Sequence, residues 1–416
     1  MRKRRFSRRH HRTFGPITWS VILCATLVGV AVAAFTAWQP WYVANTWRLA
    51  TQGWTTTVDL PIYAPNAADT YSPLEQVRGA PAAPPLVRRA GDDSHFAAAV
   101  DYAGQHESYA LLIWHRDAIV LERYWAGAGR DSRPDGASTH KSVTALAVGA
   151  AIADGKIGSI DDPVERYLTE WRGTPEGQIR IRSLLQMASG LGTFSTSGGW
   201  FSEANRFLSG LGTEQLLLGR KLIGKPDDSF TYRNLNTQLL GLIVERSTGR
   251  RYAEYLSEAI WQPIGAGDAY VWLDRAGGLA RTYTALLARP EDWLRLGILI
   301  KDHGAISGRQ IVPAEWIDAM TTASPANANY GYQIWRAQPY QAKRYYNPVL
   351  KGLSTAASEP IKADDMVFFD GVGGQRVYVS AALDLVIVRL GVARPDWDDS
   401  ALPNAVIAAL ANEEPQ

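Results

Sequence analysis

The longest apolar stretch of the chain lies near its N-terminus. Residues 13–47 contain no Asp, Glu, Lys or Arg. Within them, residues 17–38 are long enough as a helix, at about 1.5 Å per residue, to cross the ~30 Å hydrocarbon core of a bilayer. The twelve residues at the N-terminus hold seven Arg or Lys and no acid, which favours a cytoplasmic N-terminus. We therefore expect a basic cytoplasmic segment 1–15 and a transmembrane anchor 16–38, with a cleaved signal peptide as the alternative.

The pattern of hydrophobic and polar residues changes after the predicted anchor. Residues 39–95 mix polar residues with several prolines, which is typical of a semi-extended tether. This range is predicted to hold the remaining part of the chain, a folded domain 96–416, away from the membrane on its outer side.

Hydrophobic periodicity within 96–416 predicts strands at both ends and helices between them. Near the start, "SYALLIWH" and "AIVLERYW" are apolar runs joined by Arg116 and Asp117, which favours a β-hairpin. Near the end, "MVFFD", "QRVYVSA" and "LDLVIVRLG" are rich in β-branched and aromatic residues, and the range of about 157–345 is mostly helical in pattern. The pattern predicts an α+β fold, in which one sheet is built from both termini of the domain and a helical region is inserted into it.

Composition narrows the classes of function. Of the 416 residues, 46% are hydrophobic and 20% are charged, so the chain can bury a large core. The mildly acidic body predicts no nucleic-acid partner. Cys24 is the sole cysteine and falls within the predicted anchor, so no disulfide, cysteine-based metal site or cysteine nucleophile is expected in the domain. Neither a metal nor a cofactor is predicted, because the histidines are scattered and no phosphate-binding glycine loop of standard pattern occurs.

The first candidate chemistry lies in "GASTHKSVTALAVGAAIADGK", a helix predicted to be almost wholly buried. Lys141 lies in its first turn, three residues after Ser138 and on the same face. A neutral amine in that place, or a tyrosinate that the ammonium stabilises, can take the proton from a hydroxyl that is too weakly acidic to attack a carbonyl unaided. The structural alternative is Ser138 as an N-cap with Lys141 solvated. His140 is expected to face away from Ser138, because neighbours at i and i+2 point apart on a helix.

Two further segments contain candidate groups. In "FTYRNLNTQLLG", the phenol of Tyr232 could pass a proton to a leaving group, and Asn234 could orient Lys141 or a substrate amide. In "FFDGVGGQRVYVS", a glycine cluster enters a strand, where a substrate could approach the backbone and an amide could donate to an oxyanion. A simple hairpin turn is the structural alternative for the glycine cluster.

Taken in order, Ser138-x-x-Lys141, Tyr232-x-Asn234 and Val372-Gly373-Gly374 resemble the motifs of the serine β-lactamase and penicillin-binding-protein superfamily. The likeness is strongest to the class C-like branch, which holds family VIII-type esterases, D-amino-acid peptidases and aminohexanoate-dimer hydrolases. Flanking segments such as "HKSVTALAVGAAIADGKIGSIDDPVERYL" and "DWLRLGILIKDHG" are also similar to that branch. The resemblance covers most of residues 105–395 and implies the β-lactamase/transpeptidase-like fold, in which the sheet is antiparallel and carries flanking helices.

The resemblance also implies roles for individual residues. Ser138 would be the acylated nucleophile, and Lys141 and Tyr232 would share the general-base and general-acid work. The oxyanion hole would use the backbone amides of Ser138 and Gln375. The residues implied to bind substrate are Asn234, Gly373 and Gly374.

One position departs from the superfamily pattern. The third motif usually starts with Lys, or with His in many esterase-like relatives, but here that residue is Val372. A cation there would bind the carboxylate of a β-lactam or of a peptide C-terminus, and valine cannot. The sequence therefore predicts a serine hydrolase of the bacterial inner membrane, with its domain in the periplasm, that acts on an ester or a small amide. The alternatives are a weak penicillin-binding or envelope-peptide-sensing module and a true β-lactamase or D-amino-acid peptidase.

Overall fold

The computed structural model describes residues 16–51, 64–82, 85–89, 94–348 and 351–412. The predicted cytoplasmic segment 1–15 lies outside the described residues, as do residues 52–63 of the predicted tether.

Helices hold many more residues than strands do in the middle of the chain. Their bounds are α1 Pro16–Trp38, α2 Pro40–Thr51, α3 Ala97–Gln105, α4 His140–Ala153, α5 Ile181–Leu185, α6 Glu203–Ser209, α7 Thr213–Leu218, α8 Asn234–Thr248, α9 Tyr252–Leu256, α10 Pro290–Lys301, α11 Ala314–Thr321 and α12 Ala401–Ala411.

Strands occur mainly near the two ends of the domain. Their bounds are β1 Leu74–Val77, β2 Ser108–His115, β3 Ala118–Tyr124, β4 Ala269–Trp272, β5 Leu286–Leu287, β6 Ala305–Ile306, β7 Arg309–Gln310, β8 Trp335–Arg336, β9 Lys343–Tyr345, β10 Ser354–Ala356, β11 Val367–Gly371, β12 Gln375–Ser380 and β13 Leu385–Gly391.

The main sheet has six strands in the order β3-β2-β13-β12-β11-β8, and each neighbouring pair is antiparallel. The N-terminal hairpin β2-β3 therefore pairs with the C-terminal strands through the contact of β2 with β13. The predicted α+β architecture, with one antiparallel sheet built from both termini of the domain, is confirmed.

Both faces of this sheet are covered, which explains why β2 appears in the sequence as a continuous apolar run. Leu112 and Trp114 join the larger core, which contains α4, α8 and α10. Leu111 and Ile113 point to the other face and join the core that contains α3 and α12. Successive side chains of a strand point to opposite faces, so a strand buried on both sides needs apolar residues at every position.

Helix α10 approaches the sheet closely at one point. A Cβ on Gly297 would lie 2.3 Å from Cγ1 of Val386 on β13. Any larger residue would push α10 away from the sheet, and the glycine therefore fixes how tightly the helical layer packs behind β12 and β13.

The N-terminal elements lie beside this domain. The segment Ser20–Trp38 of α1 has a mean hydropathy of 2.3 and none of it is buried, which makes it a candidate membrane span by length and composition. Helix α2 packs on α6, where Asn45 donates to the carbonyl of Ser209. Strand β1, within the range 39–95 predicted as a tether, pairs with β4 of the domain.

Candidate active site

Ser138 lies on a short 3-10 turn, Ala137–Thr139, immediately before α4. The α-helix itself begins at His140, so Lys141 lies in its first turn. Ala137 has a φ of 51°, in the left-handed region that a residue with a Cβ seldom adopts. Its amide donates to a carboxylate oxygen of Asp135 at 2.7 Å, and this bond helps to hold the strained turn that presents the Ser138 hydroxyl.

Asp135 is itself held by a residue from the segment ahead of the domain. The Tyr71 hydroxyl donates to the second carboxylate oxygen of Asp135 at 2.5 Å. Burial raises the pKa of Asp135 to about 6, against hydrogen bonds that favour its charged form. The segment 64–82 therefore contributes to the support beneath the Ser138 turn.

The Lys141 side chain is buried, with 1% of its surface exposed. Its Nζ lies 2.7 Å from Oγ of Ser138 and donates to the carbonyl of Tyr283 at 2.8 Å. Burial lowers the pKa of Lys141 from 10.5 to about 7, and the charge of Asp370 opposes this shift. About half of the amine is therefore neutral at pH 7, and a neutral amine can accept the proton of the Ser138 hydroxyl.

The Tyr232 ring lies on the other side of the same hydroxyl. Its side chain shares a hydrogen bond with Ser138, and Nζ of Lys141 is 4.9 Å from its ring centroid. Burial, followed by the nearby Tyr330 and Asp370, raises the pKa of Tyr232 well above 10. Tyr232 therefore keeps its proton near neutral pH, which suits it to donate rather than to accept.

An aromatic cluster fixes the position of Tyr232. Its ring centroid lies 5.3 Å from that of Tyr346, 5.9 Å from that of Trp335 and 6.2 Å from that of Tyr330. These partners come from a segment about a hundred residues downstream, so the ring is held in place by tertiary packing and not by its own turn.

Asn234 is the N-terminal residue of α8 and lines a cavity of about 220 Å³ together with Arg233 and Phe207. Its side chain makes no hydrogen bond within the described ranges, so it does not orient Lys141 there. It remains available to a substrate in the cavity.

The predicted glycine cluster forms the turn between β11 and β12. Gly373 and Gly374 have φ values of 72° and 92°, and a Cβ on Gly374 would lie 2.5 Å from the Trp397 ring. At the end of β11, a Cβ on Gly371 would lie 2.3 Å from the carbonyl oxygen of Gly136. The glycines thus let this strand end and its turn pack directly against the Ser138 turn.

Gln375 begins β12 and pairs with Gly371 across the hairpin. Its side chain is fully buried and is tied to the backbone of Gly391 on β13. Val372, by contrast, packs in a small apolar cluster with Ala137. Two backbone amides of this turn are thus candidates for a second oxyanion donor beside Ser138: the predicted one at Gln375 and the one at Val372.

His140 is buried away from Ser138, as the helical geometry predicts. Its Nδ1 lies 2.9 Å from the carbonyl oxygen of Thr284, and its Nε2 lies 3.0 Å from the hydroxyl of Tyr252. Burial lowers the pKa of His140 to about 4. The ring is therefore neutral at physiological pH and cross-links α4 to the neighbouring segments.

A buried ionic cluster behind β11 was missed by the sequence analysis. Asp370 accepts from Arg344 and Arg376, which are also paired with Asp399. Burial alone would raise the pKa of Asp370, but the two guanidinium groups outweigh it and hold that pKa below its ordinary value. The one sequence signal was "FFDG", an acid inside a strand-like run beside the glycine cluster.

The described residues thus join a serine and a lysine one helical turn apart, a partly buried tyrosine and a glycine-rich strand end on an antiparallel sheet covered by helices. This is the arrangement of a serine hydrolase of the Ser-x-x-Lys type. Among the same residues, no group of three or more His, Cys, Asp or Glu is placed to hold a metal ion.

Comparison with known proteins agrees with this class. The beta-lactamase family matches residues 87–412. A 6-aminohexanoate-dimer hydrolase from Paenarthrobacter ureafaciens is 30% identical over 308 residues, which cover 70% of this chain and 73% of that protein. The chain belongs to the beta-lactamase family.

Solved structures show the same fold. One from Bacillus anthracis, which carries the name of a 6-aminohexanoate-dimer hydrolase, superposes with a TM-score of 0.69 at 19% identity and covers 85% of this chain and 95% of its own. Another from Bacteroides dorei, named as a beta-lactamase, gives a TM-score of 0.61 at 17% identity, with 78% and 100% covered. The predicted relationship to the superfamily is confirmed.

Proposed function

We propose that this protein hydrolyses an ester or a small amide through an acyl-enzyme on Ser138. The observation that carries the proposal is the 2.7 Å contact between Oγ of Ser138 and Nζ of Lys141. That amine is buried, and no carboxylate within the described residues forms an ion pair with it. A buried lysine kept without a counter-ion is costly to the fold, and its proton affinity is thereby matched to catalysis near neutral pH.

The proposed reaction follows from the pKa of Lys141 being lower than that of Tyr232, so that the lysine is the base and the tyrosine the acid. Neutral Lys141 accepts the Ser138 proton as Oγ attacks the substrate carbonyl carbon and the carbonyl electron pair moves to oxygen. The tetrahedral intermediate then collapses: its bond to the alcohol or amine breaks as Tyr232 protonates that group, and the proton on Lys141 passes to the Tyr232 oxygen. Water gives a proton to Lys141 as it attacks the acyl-enzyme, the bond between the acyl carbon and Oγ breaks, and Oγ takes up a proton as the acid is released.

The oxyanion would be held by the Ser138 amide and one amide of the β11–β12 turn. Gln375 remains the predicted second donor. The Val372 amide is the alternative, because Val372 packs on Ala137, next to the nucleophile, and its amide makes no hydrogen bond within the described ranges. In either case Gly373 and Gly374 allow the turn to approach, and Asn234 is placed to contact the substrate.

The charges around the third motif support an ester or small amide over a β-lactam. Val372 supplies no cation, and Arg376 behind it is committed to Asp370 and Asp399. Arg394, which lines a cavity with Val372, is paired with Glu107 and Asp396. The relative from Paenarthrobacter is named for a 6-aminohexanoate dimer, which is consistent with a small amide.

Labelling with a fluorophosphonate tests the nucleophile. Full-length protein in detergent should be modified at Ser138, and Ser138→Ala should lose the label while keeping its unfolding transition. A panel of nitrophenyl esters and small anilides beside nitrocefin then tests the substrate class. Label at another serine, or nitrocefin turnover that exceeds every ester, would contradict the proposal.

We further propose that α1 anchors the chain in the inner membrane with the basic segment 1–15 in the cytoplasm and the domain 96–416 in the periplasm. The support is the composition of Ser20–Trp38 and the charge of the preceding residues. N-terminal sequencing of protein recovered from membranes separates a retained anchor from a cleaved signal, and protease added to spheroplasts should digest the domain.

A further inference from the structure

Arg233 is a cation without a counter-ion, between Tyr232 and Asn234 in the second motif. Within the described ranges its guanidinium forms no ion pair, and its buried Nε has no hydrogen-bond partner. The buried Arg344 and Arg376 behind β11 contrast with it, because both are paired with carboxylates. Burial lowers the pKa of Arg233 from its ordinary value, but an arginine stays protonated in proteins.

Arg233 lines two cavities. One, of about 250 Å³, is also lined by Ser189, Ser229 and Thr231. The other, of about 220 Å³, is mostly apolar and also includes Asn234. Neither lining contains an Asp or Glu, so the charge of Arg233 is not neutralised by the walls of either cavity.

The acidic residues nearest to Arg233 in the sequence do not act as its counter-ion. Asp227 and Asp228 precede Ser229, but both are exposed and neither forms an ion pair with Arg233. A partly buried guanidinium with an unmade hydrogen bond is unfavourable in the free protein, and an anion that enters the cavity would satisfy both its charge and its donor groups.

We propose that Arg233 is a specificity-determining residue that binds a carboxylate on the substrate, so that the protein acts on acidic esters or amides. This rests on the proposed function, because it places the anionic group of the substrate in a cavity that Arg233, the residue next to Tyr232, lines. A planar carboxylate matches the guanidinium fork in two parallel hydrogen bonds. The cation that usually starts the third motif of the superfamily, replaced here by Val372, would thus have a counterpart in the second motif.

Two esters that differ only at a remote carboxylate provide the kinetic test. 4-Nitrophenyl hydrogen glutarate should be hydrolysed with a kcat/KM at least about tenfold above that of its methyl ester. In Arg233→Gln this ratio should fall by about 10- to 100-fold, the range expected for a charged hydrogen bond. Arg233→Lys should keep part of the preference. The matched control is Lys221→Gln, which removes the same charge from an exposed side chain and should leave the ratio unchanged.

A binding measurement keeps the two proposals separable. Full-length Ser138→Ala in detergent is titrated calorimetrically with glutarate and with inorganic phosphate, with and without Arg233→Gln. Tenfold weaker glutarate binding in the double variant supports the role of Arg233 even if no ester is hydrolysed, which would count against the proposed function alone. Ester hydrolysis at Ser138 with no preference for the acid, or a preference that Arg233→Gln retains, overturns the inference alone. Phosphate binding as tight as glutarate binding, with the same dependence on Arg233, overturns the assignment to a carboxylate.

Discussion

The rate at which Ser138 is acylated should depend on pH through Lys141. The perturbation is pH itself, varied from 5 to 10 with the full-length protein in detergent. With a pKa of about 7, half of the Lys141 amine is neutral at pH 7. At its ordinary pKa of 10.5, only about 0.03% would be neutral, so burial raises the fraction of competent base about 10³-fold.

The expected profile follows from these fractions. The second-order rate of fluorophosphonate labelling, and kcat/KM for a neutral nitrophenyl ester, should rise about tenfold per pH unit below pH 6 and level off above pH 8. Tyr232 has its pKa raised well above 10 by burial, so no falling limb is expected below that pH. A midpoint above pH 9, or a flat profile between pH 5 and 8, would refute Lys141 as the base.

Two variants separate the base from the acid. Lys141→Arg keeps a positive charge that cannot be lost in this range, so the pH-dependent rise should disappear together with the activity. Tyr232→Phe should keep the midpoint near pH 7 and lower the plateau by about 10²- to 10⁴-fold, the usual contribution of a general acid or base. A midpoint that moves in Tyr232→Phe would mean that the titrating group is not the lysine alone.

Three further changes test the support of the site. Lys141→Met should be inactive, yet its free energy of unfolding in urea at pH 6 should be about 2 kcal/mol higher, because the desolvated ammonium is removed at the expense of two hydrogen bonds. Equal or lower stability would contradict the cost assigned to burying this ammonium. Gly374→Ala should destabilise the protein by about 2–4 kcal/mol and lower its activity, because the added Cβ would lie 2.5 Å from the Trp397 ring. The control Gly129→Ala, whose Cβ would meet open space, should change neither stability nor activity. Burial raises the pKa of Asp135 from 3.8 to about 6, so its contribution to stability should fall as pH rises from 4 to 6. Asp135→Asn should remove this dependence, which amounts to about 2 kcal/mol in urea unfolding between pH 4.5 and 7.5, and an unchanged dependence would reject the assignment.

The parts of the fold that sequence reasoning could predict are those fixed by local pattern. The β2-β3 hairpin follows from two apolar runs separated by Arg116 and Asp117, and the C-terminal strands follow from their β-branched residues. Strand β1 was not predicted, because four residues with Glu75 and Gln76 among them carry little signal. It forms only because β4, nearly two hundred residues later, offers a partner.

The candidate site also contains some features that local sequence predicts and others that depend on tertiary packing. Ser138 and Lys141 are one helical turn apart, so their contact follows from spacing alone. The role of Tyr232 was predicted from the resemblance to a family, since no local sequence pattern predicts that it contacts Ser138. The pairing of Asp370 with Arg344 depends on tertiary packing, which no periodicity reveals, and the same holds for the absence of a partner for Arg233.

Lys141, the pair Arg344 and Arg376, and the partly buried Arg233 are cations with different partners in this one domain, and their chemistry explains the difference. Lys141 can lose its proton, so burial without a carboxylate makes it a base. Arg344 and Arg376 cannot, so the fold surrounds them with Asp370 and Asp399 and they become structural. Arg233 cannot lose its proton either, yet within the described residues it has no carboxylate. A guanidinium that lines a cavity can be neutralised by an anion from outside, and the place of Arg233 between Tyr232 and Asn234 makes the substrate the source of that anion in our proposal.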